Sequence, residues 1–558
     1  MIDPMSHKLA DVLQAILVIV GGLIITLGAV LWTASLMESI FYYHSPLSNN
    51  PPEPGEGSGV RSTRRLVFIL VDALREDTAL DTQVMPFLAG LRQQGASATM
   101  HSRPLSYSQP GYSTLLVGAW PDLSDGPAAN LDDEDIPTFT QDNLFSAAHR
   151  GGLKTAISAF DWFQKLVPQE AVDVSFYTEE EDRHADEQVA AAAIPWLQTD
   201  TYQLILIHFD QVDYAGHHEG GPGDPRWNEA AARSDDLIRQ IAANLDLTQD
   251  TILVVSDHGQ IDAGGHGGDE AVTLTEPFVM AGAGIIPGEY GAIYMVDIAP
   301  TVSALLGVNL PATSQGRPLV EILELLPQQG QALQQRSIAQ QEQLLEKYTQ
   351  AIGQPFELPD ESSVAAYQKA LADARSARLS RERLWRSFLA MVIAVLPLYW
   401  LVRLDKKVIW LAAGALIYNL AFHVLYAVVG GKTYSLSLVS SPEELLGFLV
   451  SITLLSLIAG WIVTLWGLKL YRMAPSRAAG LVVGFVALTI YVLALPVMFS
   501  FSLNGAVVTW TLPHYRSAYL AFLSLMQIAY VAIPGLMLAG FTAVVAWSAG
   551  RIFNISRI

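Results

Sequence analysis

The segment Asp250–Glu270, "DTILVVSDHGQIDAGGHGGDE", decides the fold. It opens with a continuous apolar run, the pattern of a strand buried on both faces of a parallel sheet. It then turns abruptly polar, and residues 256–270 hold five glycines together with Asp257, His258, Asp262, His266 and Asp269. Gly and Asp are ordinary turn residues, so a solvated acidic loop is one reading. The other is a backbone bent to bring imidazoles and carboxylates onto a common point, and the rest of the chain has to supply the partners.

Three more runs match the opening one: "RLVFILVD" (Arg65–Asp72), "KTAISAF" (Lys154–Phe160) and "YQLILIHFD" (Tyr202–Asp210). Helical patterns lie between them, including "TQDNLFSAAHRGG" with its glycine stop and "RWNEAAARSDDLIRQIAANL". This alternation predicts an α/β fold, a mostly parallel sheet with helices on both faces. In such sheets ligands collect beyond the carboxyl ends of the strands. Asp72 closes the first run, Asp257 and His258 close the last, and Asp213 and His217 follow the Tyr202 run within one short loop. Any one of them could be an ordinary strand-end residue. Together, mixed carboxylates and imidazoles suit a zinc-like ion better than calcium or magnesium, which prefer all-oxygen shells.

The bulk numbers set the frame. A chain of 558 residues exceeds one ordinary domain. It carries 54 acidic against 33 basic side chains, a formal charge of −21, which argues against nucleic acid as a partner. It has no cysteine, so disulfides and thiolate metal sites are excluded.

Apolar stretches add a membrane part. Ala10–Met37 holds about 25 residues without a charge after Asp11, enough to cross a bilayer. It reads as an uncleaved anchor rather than a signal peptide, because the apolar core is long and no small-x-small cleavage site follows. Five further candidates are 387–402, 408–430, 445–468, 478–499 and 519–547. The loops Val402–Lys407 and Leu468–Arg477 and the C-terminal tail are basic, whereas 432–444 and 500–517 are poorer in Arg and Lys. The positive-inside rule then puts both termini in the cytoplasm and the polar region outside. The expected organisation is an anchor over 1–44, a Pro/Gly/Ser linker over 45–64, an extracytoplasmic catalytic domain over 65–326, a helical connector over 327–386, read as a spacer, and a membrane domain of about five helices over 387–558.

The motifs "LVDALRED", "DQVDYAGHHEGG" and "SDHGQIDAGGHGGD" resemble, in order and spacing, the metal motifs of the alkaline-phosphatase superfamily. Within it they are most similar to the type I phosphodiesterase branch and its GPI ethanolamine-phosphate transferases. The D-x-x-G-H pattern falls on Asp213, Gly216 and His217, and the more specific D-H-G-x-x-x-x-G-x-H-G-G pattern falls on Asp257 to Gly268. "MVDIAPTVSALLGVNLP" (Met295–Pro311) resembles the end of that domain. The resemblance implies an alkaline-phosphatase-like fold and two divalent ions, Zn2+ being the expected metal. Asp72, Asp257, His258 and the nucleophile oxygen would hold one ion; Asp213, His217 and His266 would hold the other. The family's hydroxyl nucleophile falls in "LSYSQPGYSTLLVGAWP" (Leu105–Pro121), where Ser108 fits best and Ser106 and Ser113 are rivals. Family members usually have Thr there. Asp210, His208, His218, Asp262 and Asp269 are supporting candidates that the sequence does not rank.

The resemblance implies phosphoethanolamine transfer from a phospholipid donor, through a phospho-Ser108 intermediate, to a glycolipid hydroxyl. Transfer to water, as in a phosphodiesterase or nucleotide pyrophosphatase, is the alternative. A sulfatase is disfavoured because Tyr112 stands where that signature has Arg. A non-catalytic lipid- or glycan-binding protein is disfavoured by the intact ligand set.

Overall fold

The computed structural model describes residues 4–401, 408–439 and 442–555. Its α/β domain is built on one eight-stranded sheet: β1 (Leu66–Val71), β2 (Ala96–His101), β3 (Thr155–Phe160), β4 (Val174–Thr178), β5 (Leu204–Phe209), β6 (Thr251–Val255), β7 (Thr275–Gly282) and β8 (Gly288–Tyr294). The order is β4-β3-β5-β1-β6-β7-β2-β8. The four strands expected from the apolar runs are β1, β3, β5 and β6, and every residue in them is buried. Only β7 is antiparallel to its neighbours β6 and β2, so the other seven strands share one direction and one carboxyl edge.

Alternation along β1 divides two cores. Leu66, Phe68 and Leu70 pack on one face of the sheet, while Val67, Ile69 and Val71 pack on the other. Covering both faces with helices is what makes the central strands uniformly apolar. β2, β4, β7 and β8 escape a reading by apolar runs: β7 carries Glu276 and Pro277, β2 is small and polar, and most of edge strand β8 is exposed.

The segments on either side of the domain are packed onto it. From the 45–64 stretch, Leu47 sits in the main core and the Ser45 N–H donates to Asp125 at 2.6 Å. The helix Pro327–Ala351 buries Leu333, Leu344, Leu345 and Tyr348 in the same core, so it is structural to the domain rather than a free spacer.

Among the described residues, five helices are long and apolar enough to cross a membrane: Ala15–Phe41, Val408–Val429, Glu444–Gly467, Pro475–Asn504 and Tyr515–Arg551. The remaining expected span, 387–402, is the end of the long helix Val364–Leu401, with residue 402 outside the described residues. Its roughly 15 apolar residues rise about 22 Å, short of a bilayer's hydrocarbon core. This end nevertheless lies along the bundle: Arg383 donates to the Leu503 carbonyl at 3.1 Å, and the Tyr491 hydroxyl donates to Ala394 at 2.6 Å. The basic loop 402–407 lies outside the described residues. Loops 432–439 and 505–517 both contact the α/β domain, and so lie on its side of the bundle.

Candidate metal centre

The shared carboxyl edge of β1, β5 and β6 gathers the predicted residues. Asp72 directly follows β1, and Asp257 and His258 directly follow Ser256 after β6. β5 leads into a short helix, Gln211–Tyr214, and one wide turn, Ala215–Glu219. Four residues apart, Asp213 and His217 face the same way, with His217 Nε2 3.5 Å from Asp213 Oδ2. Ser108 begins the helix Ser108–Val117 and is buried. Its Oγ lies 3.2 Å from His258 Nε2, whereas Ser106 Oγ is spent on the backbone of Gly267 and Gly268, and Ser113 Oγ donates to Gln109.

Two donor sets result. Around His258 Nε2 lie Ser108 Oγ at 3.2 Å, Asp257 Oδ2 at 3.4 Å and Asp72 Oδ1 at 3.5 Å. A tetrahedral ion about 2.0–2.1 Å from each ligand needs edges of about 3.3–3.4 Å. In the second set, His217 Nε2 and His266 Nε2 are 3.0 Å apart, and Asp213 offers Oδ1 to His266 and Oδ2 to His217, each at 3.5 Å. The sets adjoin: the His258 and His266 rings stack with centroids 4.0 Å apart, and Asp72, Asp213 and His258 can also present atoms to one point.

Hydrogen bonding tests the fit to a cation. Asp72 Oδ2 accepts from Tyr112 and lies 3.2 Å from His208 Nε2, which leaves Asp72 Oδ1 buried and unpartnered. Asp257 Oδ1 accepts from the Ala73 N–H at 3.2 Å, which leaves Asp257 Oδ2 buried and unpartnered. Buried carboxylate oxygens without a donor are costly. Both unpartnered oxygens point at His258 Nε2, where a cation would satisfy them. Burial, reinforced by the neighbouring Asp72, pushes the carboxyls of Asp257 and Asp210 well above the usual range. Positive charge here relieves that cost. Burial also pushes His266 down to about 4, so its Nε2 lone pair is free at neutral pH.

The supporting candidates separate cleanly. His208 is fully buried and orients Asp72, and Asp210 joins the two in a third acidic grouping. Since His208 Nε2 is already shared between Tyr112 and Asp72, that grouping is the weaker ligand set. Asp262 is exposed and pairs with Arg75 at 2.6 Å. His218 lies against the Tyr214 ring, and Asp269 faces Arg516.

Several site residues were not singled out from sequence. Tyr112 holds Asp72, and its i+4 spacing from Ser108, on one helix face, was the signal for it. Gln260 Nε2 donates to Asp213 Oδ1 at 2.5 Å. Asn130 Oδ1 accepts from the Gln109 N–H beside Ser108 at 3.0 Å. Gly111 lets this helix meet the other side of the site, since a Cβ there would stand 2.7 Å from Asp257 Cβ.

Residues 134–401 match the family model described as type I phosphodiesterase / nucleotide pyrophosphatase. The match covers Asp213, His217, Asp257, His258 and His266 and begins beyond Asp72 and Ser108, which rest on the motif reading and the geometry. The chain is 24% identical over 314 residues to the human protein "GPI ethanolamine phosphate transferase 2, catalytic subunit", covering 50% of this chain and 31% of the relative. Proteins named "GPI ethanolamine phosphate transferase 2" from Candida albicans and Yarrowia lipolytica are 26% and 27% identical, each across 47% of this chain and 32% and 33% of their own length. The chain thus spans about a third of the length of these relatives. A solved structure of human ectonucleotide pyrophosphatase/phosphodiesterase 5 aligns with a TM-score of 0.39 at 14% identity, over 47% of this chain and all of that one. The resemblance read from the metal motifs is borne out by the family model and these relatives.

Proposed function

We propose that this chain is a membrane-bound, two-metal phosphotransferase that moves phosphoethanolamine from a phospholipid-type donor to a glycolipid hydroxyl. The observation that carries the reading is the pair of adjoining donor sets, in which unpartnered buried oxygens of Asp72 and Asp257 surround the point nearest Ser108 Oγ. The match to the phosphodiesterase model and the names of the relatives support the class and the transferred group.

Asp72, Asp257, His258 and Ser108 would hold one Zn2+, and Asp213, His217 and His266 the other. When bound, such ions lower the pKa of an attacking hydroxyl and neutralise charge on attacking and leaving oxygens. The chain's own residues do the rest. The helix start would bring Ser108 Oγ to a bound phosphorus, with the positive end of the helix toward phosphate. Ser108 Oγ forms the new P–O bond as the bond to the donor's lipid oxygen breaks; the serine proton goes to solvent, and the leaving oxygen takes one up. The acceptor hydroxyl then attacks the phospho-Ser108 and loses its proton, and Ser108 is restored. Two inversions give retention at phosphorus. Tyr112 and His208 hold Asp72 in its rotamer, and Gln260 holds Asp213. In this reading the catalytic domain lies outside the cytoplasm with both termini inside, which requires the end of the helix Val364–Leu401 to cross as a sixth span beside the five long ones.

The second reading, transfer to water, is favoured by the pyrophosphatase half of the family description. The test is the full chain in liposomes containing phosphatidylethanolamine labelled in its headgroup, with and without a sugar-bearing glycolipid. Transfer predicts label on the glycolipid and, after rapid quenching, on Ser108. Release of free phosphoethanolamine at the same rate with or without glycolipid would establish hydrolysis instead. Full turnover by Ser108→Ala would sink both readings.

A further inference from the structure

The loop that presents His266 is intrinsically loose. Gly264, Gly265 and Gly267 take φ of +80°, +103° and +102°, the region glycine enters freely and other residues avoid. The loop must therefore be held by contacts from outside. On one flank the holder is Ser106: its Oγ accepts from the Gly267 N–H at 2.9 Å, and its carbonyl lies 2.8 Å from His266 Nδ1. That bond leaves Nε2 facing Asp213 and His217.

The other flank is held by the membrane bundle. The loop between the Val408–Val429 and Glu444–Gly467 helices makes a short turn, Leu436–Leu438, that lies directly on the glycines. Ser437 Oγ accepts from the Gly268 N–H at 3.0 Å and donates to Glu270 Oε2 at 2.7 Å. Ser437 is 3% exposed and Gly268 is buried, so that N–H has no water as a substitute, whereas Glu270 is half-buried. The backbones meet without room for a side chain: a Cβ at Gly265 would lie 2.3 Å from the Ser437 carbonyl, and one at Gly268 would lie 2.0 Å from Ser435 Oγ. Arg516, at the start of the last membrane helix, adds a 3.3 Å ion pair to Asp269, which its exposure makes weak.

We propose that Ser437 is a positioning residue for the second metal site: the membrane bundle, through this hydroxyl, holds the His266 loop in the geometry that binds the ion. The proposal rests on the two-metal reading above. It makes occupancy of the Asp213–His217–His266 set depend on a residue more than 160 positions away in the chain. The Asp72–Asp257–His258 set has no such dependence, because its ligands stand at the ends of buried strands. A bundle that shifts against the domain would therefore release one ion and keep the other.

The experiment is zinc titration of the metal-stripped full chain in detergent, with a competing chromogenic chelator, for wild type, Ser437→Ala and Ser437→Thr. Wild type is expected to bind two equivalents. Ser437→Ala should weaken one of them by about 10-fold or more, the usual cost of losing a group that supports a ligand, and leave the other unchanged. Ser437→Thr keeps the hydroxyl and should restore the weakened site. Should Ser437→Ala not fold, Glu270→Gln, which removes the charge that Ser437 bonds, should weaken the same single site by less. Unchanged affinity at both sites, equal loss at both, or no restoration by threonine overturns the positioning role. A wild type that binds fewer than two equivalents overturns the two-metal reading instead.

Discussion

Replacing Gly111 by alanine separates the packing of this helix against Asp257 from helix propensity alone. Gly111 lies inside the helix Ser108–Val117, where Ala is ordinarily the better residue by about 0.5–1 kcal/mol. A methyl group at this position would stand 2.7 Å from Asp257 Cβ and 3.0 Å from the Asp257 carbonyl. Carbon atoms rest about 3.5–4.0 Å apart, so the helix must withdraw by about 1 Å. Overpacking of that kind costs about 1–3 kcal/mol, which outweighs the propensity gain. The withdrawal also carries Ser108 Oγ away from His258 and Asp257, and a displacement of about 1 Å at a reacting atom costs on the order of 100-fold in rate. Gly90 is the control: it too is inside a helix, Pro86–Gln94, and a Cβ there meets nothing within 4 Å. The assay is turnover of a chromogenic phosphodiester together with thermal melts in detergent. Gly90→Ala should melt slightly higher with unchanged turnover, and Gly111→Ala should melt lower with kcat reduced about 100-fold. If Gly111→Ala matches Gly90→Ala in both measurements, the helix does not seat against Asp257 and the first donor set is misdrawn.

Three further expectations come from the same contacts. Tyr112→Phe removes the hydroxyl that Asp72 and His208 share, so zinc affinity at the first set should fall about 10- to 100-fold by chelator competition, with the fold retained on circular dichroism. Stripping the ions leaves Asp72 Oδ1 and Asp257 Oδ2 unpaired; at 100 to 1,000 times Kd each zinc should stabilise the chain by about 3–4 kcal/mol, read as a melting temperature that drops with chelator and returns with zinc. Burial pushes Asp186 up to about 7, against the N–H donors of Asp210 and Gln211 and from an ordinary value of 3.8. The folded chain thus holds a proton there that the unfolded chain has lost, so this contribution is complete below about pH 3.8 and disappears as pH rises through about 7. It is worth about 4 kcal/mol, and Asp186→Asn should flatten that part of a denaturation profile taken from pH 5 to 8; an identical slope in the variant refutes the assignment.

What the sequence determined by itself was local. A run such as Leu66–Val71 or Thr251–Val255 announces a doubly buried strand because each of its residues must leave water, and a polar residue directly after it marks the carboxyl edge. That rule singles out Asp72, Asp213, His217, Asp257 and His258, while His266 and Ser108 came only from the resemblance to the phosphodiesterase motifs, and the fold brings all seven together at that edge. Tertiary structure alone decided the rest, because those choices rest on pairs far apart in the chain. β2 and β8 extend the sheet only once β7, reversed and carrying Pro277, lies against β6. Tyr112 gains its role only when β1 and β5 set Asp72 beside His208. Asp262 and Asp269, in the same short loop as three of the site residues, turn outward to Arg75 and Arg516. Ser437 carries no mark in its own neighbourhood; a serine in a short turn becomes a support for a metal loop only through what folds against it.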